Sequence, residues 1–80
     1  MPRLSILYFA AAAEAAGGFR EDMQLSAAMT VLDLRAELRR RHPALARVPF
    51  RIAVNQTFAG DTCGLQEGDE IAVLPPVAGG

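Results

Sequence analysis

The chain has one cysteine, Cys63, in 80 residues. That excludes an internal disulfide and the stapled build of small secreted domains, and a lone thiol fits a reducing cytosol. Charge of either sign is scarce in the balance: 8 basic residues against 9 acidic leave −1 at pH 7. A nucleic-acid binder needs a cationic excess, so the composition argues against that class. No apolar run approaches the roughly 18–20 residues of a membrane span. Met1-Pro2-Arg3-Leu4 carries a single cation and runs directly into a strand-like segment. It does not read as a signal peptide, and cytoplasm is the expected location. His42 is the only histidine. It reads as a helix-end cation, and the sequence shows no Ser-His-Asp set and no metal-ligand spacing. Gly17-Gly18 lacks the surrounding G-x-x-x-x-G-K-[ST] pattern of a phosphate loop. Asp69 and Glu70 are adjacent in a strand-like stretch, so they point to opposite faces and read as a turn or a contact.

What remains is an apolar chain sized for one small domain, with 51% hydrophobic and 21% charged residues. Leu4 to Ala10 is apolar on both faces, as expected of a central strand. Ala11–Ala16 suits a short helix stopped by Gly17-Gly18. Phe19 to Leu25 alternates imperfectly, because Glu21 falls on the parity of Met23, and reads as a half-solvated edge strand. Thr30 and Asp33 have the form of a helix N-cap. Val31, Leu34 and Leu38 follow at helical spacing as one apolar stripe. Glu37 and Arg41 form an i, i+4 pair, Arg39 to His42 suit the helix C-terminus, and Pro43 ends the helix. This helix is expected to be structural, its arginines solvated and its position remote from the C-terminal tail. Phe50–Val54, Thr57–Ala59 and Glu70–Leu74 read as strands, with Asn55-Gln56 a turn. The order of elements predicts an α+β domain, a helix lying across one face of a mixed sheet.

The most informative segment is the last. The strand Ile71–Leu74 runs into Pro75-Pro76-Val77-Ala78-Gly79-Gly80. The prolines cannot donate to a ladder and fix φ, so the strand must end and the chain leaves stiffly. Glycines at 79 and 80 carry no Cβ, which lets a partner's walls close around the backbone. Six extended residues reach about 20 Å. The expected division is a domain over residues 1–74 and a protruding tail over 75–80, with a carboxylate at its tip. Such a carboxylate is unreactive until activated by another enzyme.

Strand, strand, helix, strands and a terminal Gly-Gly resemble the ubiquitin-like β-grasp fold. Three motifs narrow the likeness: Ala53-Val54-Asn55-Gln56-Thr57, then Gly68-Asp69-Glu70 after Leu65, then Leu74-Pro75-Pro76-Val77-Ala78-Gly79-Gly80. With Tyr8-Phe9-Ala10, Glu14 and Gly17, they resemble the small, sulfur-carrier subunits of molybdopterin synthase over essentially the whole chain. Two departures stand out. Ala13 occupies the place of a common arginine, and Val73-Leu74 precede the prolines where many members carry aromatics.

The resemblance implies a co-substrate and not a catalyst. An E1-like enzyme adenylates the Gly80 carboxylate with ATP and magnesium, and a sulfur donor converts it to a thiocarboxylate. The tail, Pro75 to Gly79, threads into the large subunit of a heterotetramer. There the sulfur passes to cyclic pyranopterin monophosphate, with acids and bases supplied by the partner. The carrier itself holds no cofactor or metal. Phe58, Val73 and Leu74 exceed what one helix can cover, so they are expected to form the partner-facing surface. Alternatives are a thiamine-thiazole sulfur carrier, a ubiquitin-related modifier, or an interaction module with an inert tail. The helix at Ala11–Ala16 and Pro75-Pro76 argue against the thiamine carriers.

Overall fold

The computed structural model describes residues 3–25 and 28–76. Strand β1 (Arg3–Tyr8) leads into helix α1 (Ala11–Ala16) and strand β2 (Arg20–Gln24). Helix α2 (Val31–Arg41) and a 3₁₀ helix (Pro43–Arg47) precede β3 (Arg51–Val54), β4 (Thr57–Phe58) and β5 (Glu70–Leu74). The sheet order is β2-β1-β5-β3-β4. β1 and β5 pair in parallel and every other pair is antiparallel, so the sheet is mixed, as expected. β1 and β5 are both interior strands, which accounts for the apolar residues on both of their faces. β2 is an edge, matching the reading of its broken alternation.

One face of the sheet is covered. Leu4, Ile6 and Tyr8 from β1, Met23 from β2, Ile52 from β3, and Ile71 and Val73 from β5 are all buried. Against them α2 sets Val31, Leu34 and Leu38, each fully buried. Its start is a reciprocal cap: Thr30 Oγ1 accepts the Asp33 N–H at 3.3 Å, and the Asp33 carboxylate accepts the Thr30 N–H at 3.0 Å. The helix stops at His42, and Pro43 follows at the first position of the 3₁₀ helix. That 3₁₀ helix was not legible in the sequence. It inserts Leu45 fully into the core, and one apolar anchor in five residues leaves no periodicity to read.

Two short turns complete the frame. Asn55 (φ 50°) and Gln56 (φ 71°) are both left-handed, the geometry a two-residue β3–β4 hairpin requires. This turn is tied to the start of β5. The Asn55 amide donates to Asp69 at 2.9 Å and its side-chain oxygen accepts the Glu70 N–H at 2.9 Å. Asp69 also accepts the Gln66 N–H at 2.8 Å, closing the turn that contains Gly68 (φ 86°). Asn55, Asp69 and Glu70 are therefore one latch that sets where β5 begins. The Asp69 carboxylate and the Glu70 backbone N–H serve geometry, in keeping with the reading of this pair as turn residues.

Candidate functional site at the end of the central strand

β5 lies between β1 and β3, so the chain that follows it springs from the middle of the sheet. Its last pairings are Val73 with Ile52 and Leu74 with Arg51, while the Phe9 N–H donates to the Val73 carbonyl at 3.2 Å. Pro75 is half-buried and Pro76 exposed, and neither can extend a ladder. Val77, Ala78, Gly79 and Gly80 lie outside the described residues.

The sheet face opposite α2 carries the apolar surface. Register places Leu7, Ala72, Ala53 and Phe58 in one row across β1, β5, β3 and β4. Leu74 stands beside Arg51 in the next row, nearer the tail. Phe9 shares the parity of Leu7 and is 44% exposed, and Phe58 is 53% exposed. Arg51 lies over the Phe58 ring, its guanidinium 3.9 Å from the centroid.

The expected patch of Phe58, Val73 and Leu74 needs one correction. Phe58 and Leu74 do share the open face, but Val73 is fully buried on the other. Neighbouring strand residues alternate faces, so Val73 and Leu74 cannot both belong to the patch. Its place is taken by Leu7, Ala72 and Phe9. Reading β1 at period two, with Leu7 and Phe9 on one parity, contained the signal.

The expected Glu37–Arg41 pair of α2 is present, and Arg40 joins it. Arg40 and Arg41 turn inward along the helix surface: Arg40 Nε donates to Glu37 at 3.0 Å and Arg41 Nε at 3.0 Å. These two donors hold the Glu37 carboxyl down to about 2. Arg35 and Arg39 instead lie over Phe50, 4.5 and 5.1 Å from its centroid. Since Arg51 pairs with Leu74, the residues next out on the two strands are Phe50 and Pro75. Arg35 and Arg39 thus lie beside Phe50, the residue before the Arg51 that pairs with Leu74.

On the face that α2 covers, at the β2 edge, Glu21 organises a cluster that the sequence presented only as a flaw in alternation. The Tyr8 hydroxyl donates to its Oε1, His42 Nε2 lies 2.7 Å from the same oxygen, and Arg41 is 3.7 Å from Oε2. His42 meets Tyr8 edge-on as well, with ring centroids 5.7 Å apart. The helix-end histidine is therefore a clamp between α2 and β2. Partial burial alone would raise the Glu21 carboxyl, but the Tyr8 and His42 hydrogen bonds and the Arg41 charge outweigh it and hold it below the usual range. Burial, with the Glu21 hydrogen bond and charge, pushes the Tyr8 phenol upward.

A group whose carboxyl is depressed on folding adds stability above its unfolded pKa and loses it as pH falls. Glu21→Gln is expected to cost about 1–3 kcal/mol at pH 7, from the weakened partners of Tyr8 and His42. The gap between variant and parent should shrink as pH drops below about 4. Paired urea melts across pH 3–7 check this, and a constant gap would remove Glu21 ionisation from the account.

Among the described residues, no three or more His, Cys, Asp or Glu side chains are placed to hold a metal ion. Cys63 is half-buried, with its Sγ 3.6 Å from the Gly64 carbonyl. No helix among the described residues is long and apolar enough to cross a membrane.

Comparison with known proteins agrees with this geometry. The human molybdopterin synthase sulfur carrier subunit is 42% identical over 83 residues, spanning 98% of this chain and 94% of that protein. A Pyrococcus furiosus structure described as molybdopterin converting factor, subunit 1, superposes with a TM-score of 0.89 at 28% identity, covering 96% of this chain and all of that one. The small archaeal modifier protein 1 of Haloferax volcanii gives 0.85 at 29% identity, covering 96% of this chain and 100% of its own. Over residues 6–80 the sequence matches the ThiS family, and with these likenesses the chain belongs to that family, with the ubiquitin-like β-grasp fold.

Proposed function

We propose that this chain is a sulfur carrier of molybdopterin synthesis, a donor subunit whose reactive group is the Gly80 carboxylate. The observation that carries the reading is the 42% likeness to the human carrier along 98% of the chain, joined to a β5 that delivers Pro75-Pro76-Val77-Ala78-Gly79-Gly80 from the sheet centre. The carboxylate oxygen attacks the α-phosphorus of magnesium-bound ATP on an E1-like enzyme, and pyrophosphate leaves. The terminal sulfur of a donor persulfide then attacks the acyl carbon, AMP departs with the bonding pair, and a thiol cleaves the S–S bond of the acyl disulfide, leaving the thiocarboxylate and a disulfide on the donor side. The resulting thiocarboxylate offers sulfur on a narrow tether, and docking on the large subunit supplies proximity to cyclic pyranopterin monophosphate. Acids and bases for that transfer come from the large subunit.

The test is intact-mass measurement after incubation with the activating enzyme, ATP and a sulfur source. Replacement of one oxygen by sulfur at Gly80 supports the carrier, and an unchanged mass supports an inert β-grasp module. A second reading, a protein modifier, draws on the likeness to the archaeal modifier protein. It differs in product: the glycyl carbonyl would end in an amide with a target amine, visible as a heavier conjugate.

The open sheet face with Leu7, Phe9, Ala72, Leu74 and Phe58 is the docking surface in this reading. It flanks the tail root, so any partner that takes in the tail must cover it. The activating enzyme and the large subunit should therefore exclude one another. Titrating one against a preformed complex with the other is expected to displace the carrier completely. A stable ternary complex would place one of the two docking sites elsewhere.

A further inference from the structure

The root of the tail is flanked by guanidinium groups on both faces of the sheet. On the helix side, Arg35 and Arg39 lie 4.5 and 5.1 Å over the Phe50 ring. On the open side, Arg51 lies 3.9 Å over Phe58, and its backbone pairs with Leu74. Phe50 and Pro75 are the residues next out from that pair. Arg40 and Arg41 have their charge met by Glu37, but no ion pair joins Arg39 or Arg51 to any carboxylate among the described residues. Arg35 meets only Asp61, at 3.9 Å. The arginine run of α2 thus divides by position: two members are neutralised locally by Glu37, and Arg39 lies over Phe50, the residue before Arg51.

Stacking matters to what these cations can do. A guanidinium laid on an aromatic ring is held in one plane with its N–H edges free, which suits bidentate capture of a carboxylate. The rings carry the orientation cost in advance, so less freedom is lost when a partner arrives. An anion is therefore the matching ligand, and its source follows from distance. Residues 75–80 fully extended span about 20 Å. When Gly80 sits at a nucleotide inside a partner, the arginines stay at the channel mouth, about that far from the reacting phosphate. The anions they meet belong to the protein that surrounds the mouth.

We infer that Arg39 and Arg51, with Arg35, form a cationic collar that recognises carboxylate side chains rimming the tail-accepting channel of a partner protein. The inference rests on the carrier reading of the previous section and adds the chemistry of the docking rim. Apolar contact on the open face supplies burial, while the collar sets approach and register.

The experiment measures binding of the full chain to the activating enzyme and to the large subunit by calorimetry, without nucleotide, from low to high salt. Arg39→Glu and Arg51→Glu should each weaken binding at least about tenfold at low salt and flatten its salt dependence, as for lost rim charges. Arg39→Lys should keep the salt dependence and lose only part of the affinity. Arg40→Glu, whose parent residue is already paired, should bind like the parent. A thermal melt matching the parent excludes misfolding, and Arg39→Lys covers the case where Arg39→Glu melts early. If the charge reversals bind as the parent does at every salt concentration, the collar is wrong. It is equally wrong if they weaken binding only when ATP is added, because the anion is then phosphate. The mass assay on the unaltered chain separates the two levels: no sulfur gain overturns the carrier reading and the collar with it, whereas normal gain with unaffected variants overturns the collar alone.

Discussion

Deleting Gly80 is expected to abolish sulfur transfer entirely while leaving the melting curve unchanged. The reason is division of labour along the chain. Among the described residues, every buried apolar side chain belongs to the segment up to Val73. Removing the last residue takes nothing from that core. It moves the carboxylate back by one residue, about 3.3–3.6 Å, so the acyl carbon no longer meets the activating nucleotide or the acceptor. A displacement of that size is severe for a reaction that depends on near-contact geometry. Gly79→Val should fail at the same assay for a different reason, since a β-branched side chain stiffens and widens a probe meant to thread a channel. Thiocarboxylate formation by intact mass and molybdopterin formation with the large subunit check both variants. Product from the Gly80 deletion would end the carrier mechanism, and full activity of Gly79→Val would mean the tail does not thread.

The second large effect lies in the core. Leu34→Ala and Leu38→Ala are each expected to cost about 2–5 kcal/mol, the range for truncating a buried leucine. Both side chains are fully buried between α2 and the sheet. An 80-residue domain has on the order of 4–12 kcal/mol in all at the usual stability per residue. Either variant therefore removes a large fraction of it, and the double variant should be largely unfolded. Arg40→Ala, in contrast, loses an exposed pair with Glu37, which keeps Arg41 as a partner. Its melt should nearly coincide with the parent's. Denaturant melts of the three variants check the contrast. A cost below about 1 kcal/mol at Leu34 would mean that α2 is not the lid of the core.

In the carrier reading proposed above the reactive end is the tail, and the tail depends on the strand before it. β5 must be central for the tail to leave from between β1 and β3 with flanking surface on each side. The latch of Asn55 with Asp69 and Glu70 contributes here, because it sets the start of β5 and so the point where Leu74 hands over to Pro75. The same motif that marks the family in sequence is thus the one that aims its functional end.

Periodicity by itself determined much of this protein. Val31, Leu34 and Leu38 declared the covered face of α2, and Thr30 with Asp33 declared its start, because both signals are local. Asn55-Gln56 announced a hairpin, since few residue pairs tolerate two left-handed φ values. Pro75-Pro76 announced a strand that ends, and β5 stops at Leu74. Tertiary structure decided what depends on distant partners. Glu21 reads as a blemish on an edge strand until folding brings Tyr8, His42 and Arg41 around it from residues 13 and more positions away in the chain. Val73 and Leu74 are equally apolar in sequence, and only the register with Ile52 and Arg51 assigns one to the core and the other to the open face. The arginines of α2 look alike in a run, yet Glu37 claims two of them and a third lies over Phe50. A local pattern states which side chains are apolar or charged, whereas the meeting of strands and helix determines which of them remain unpartnered.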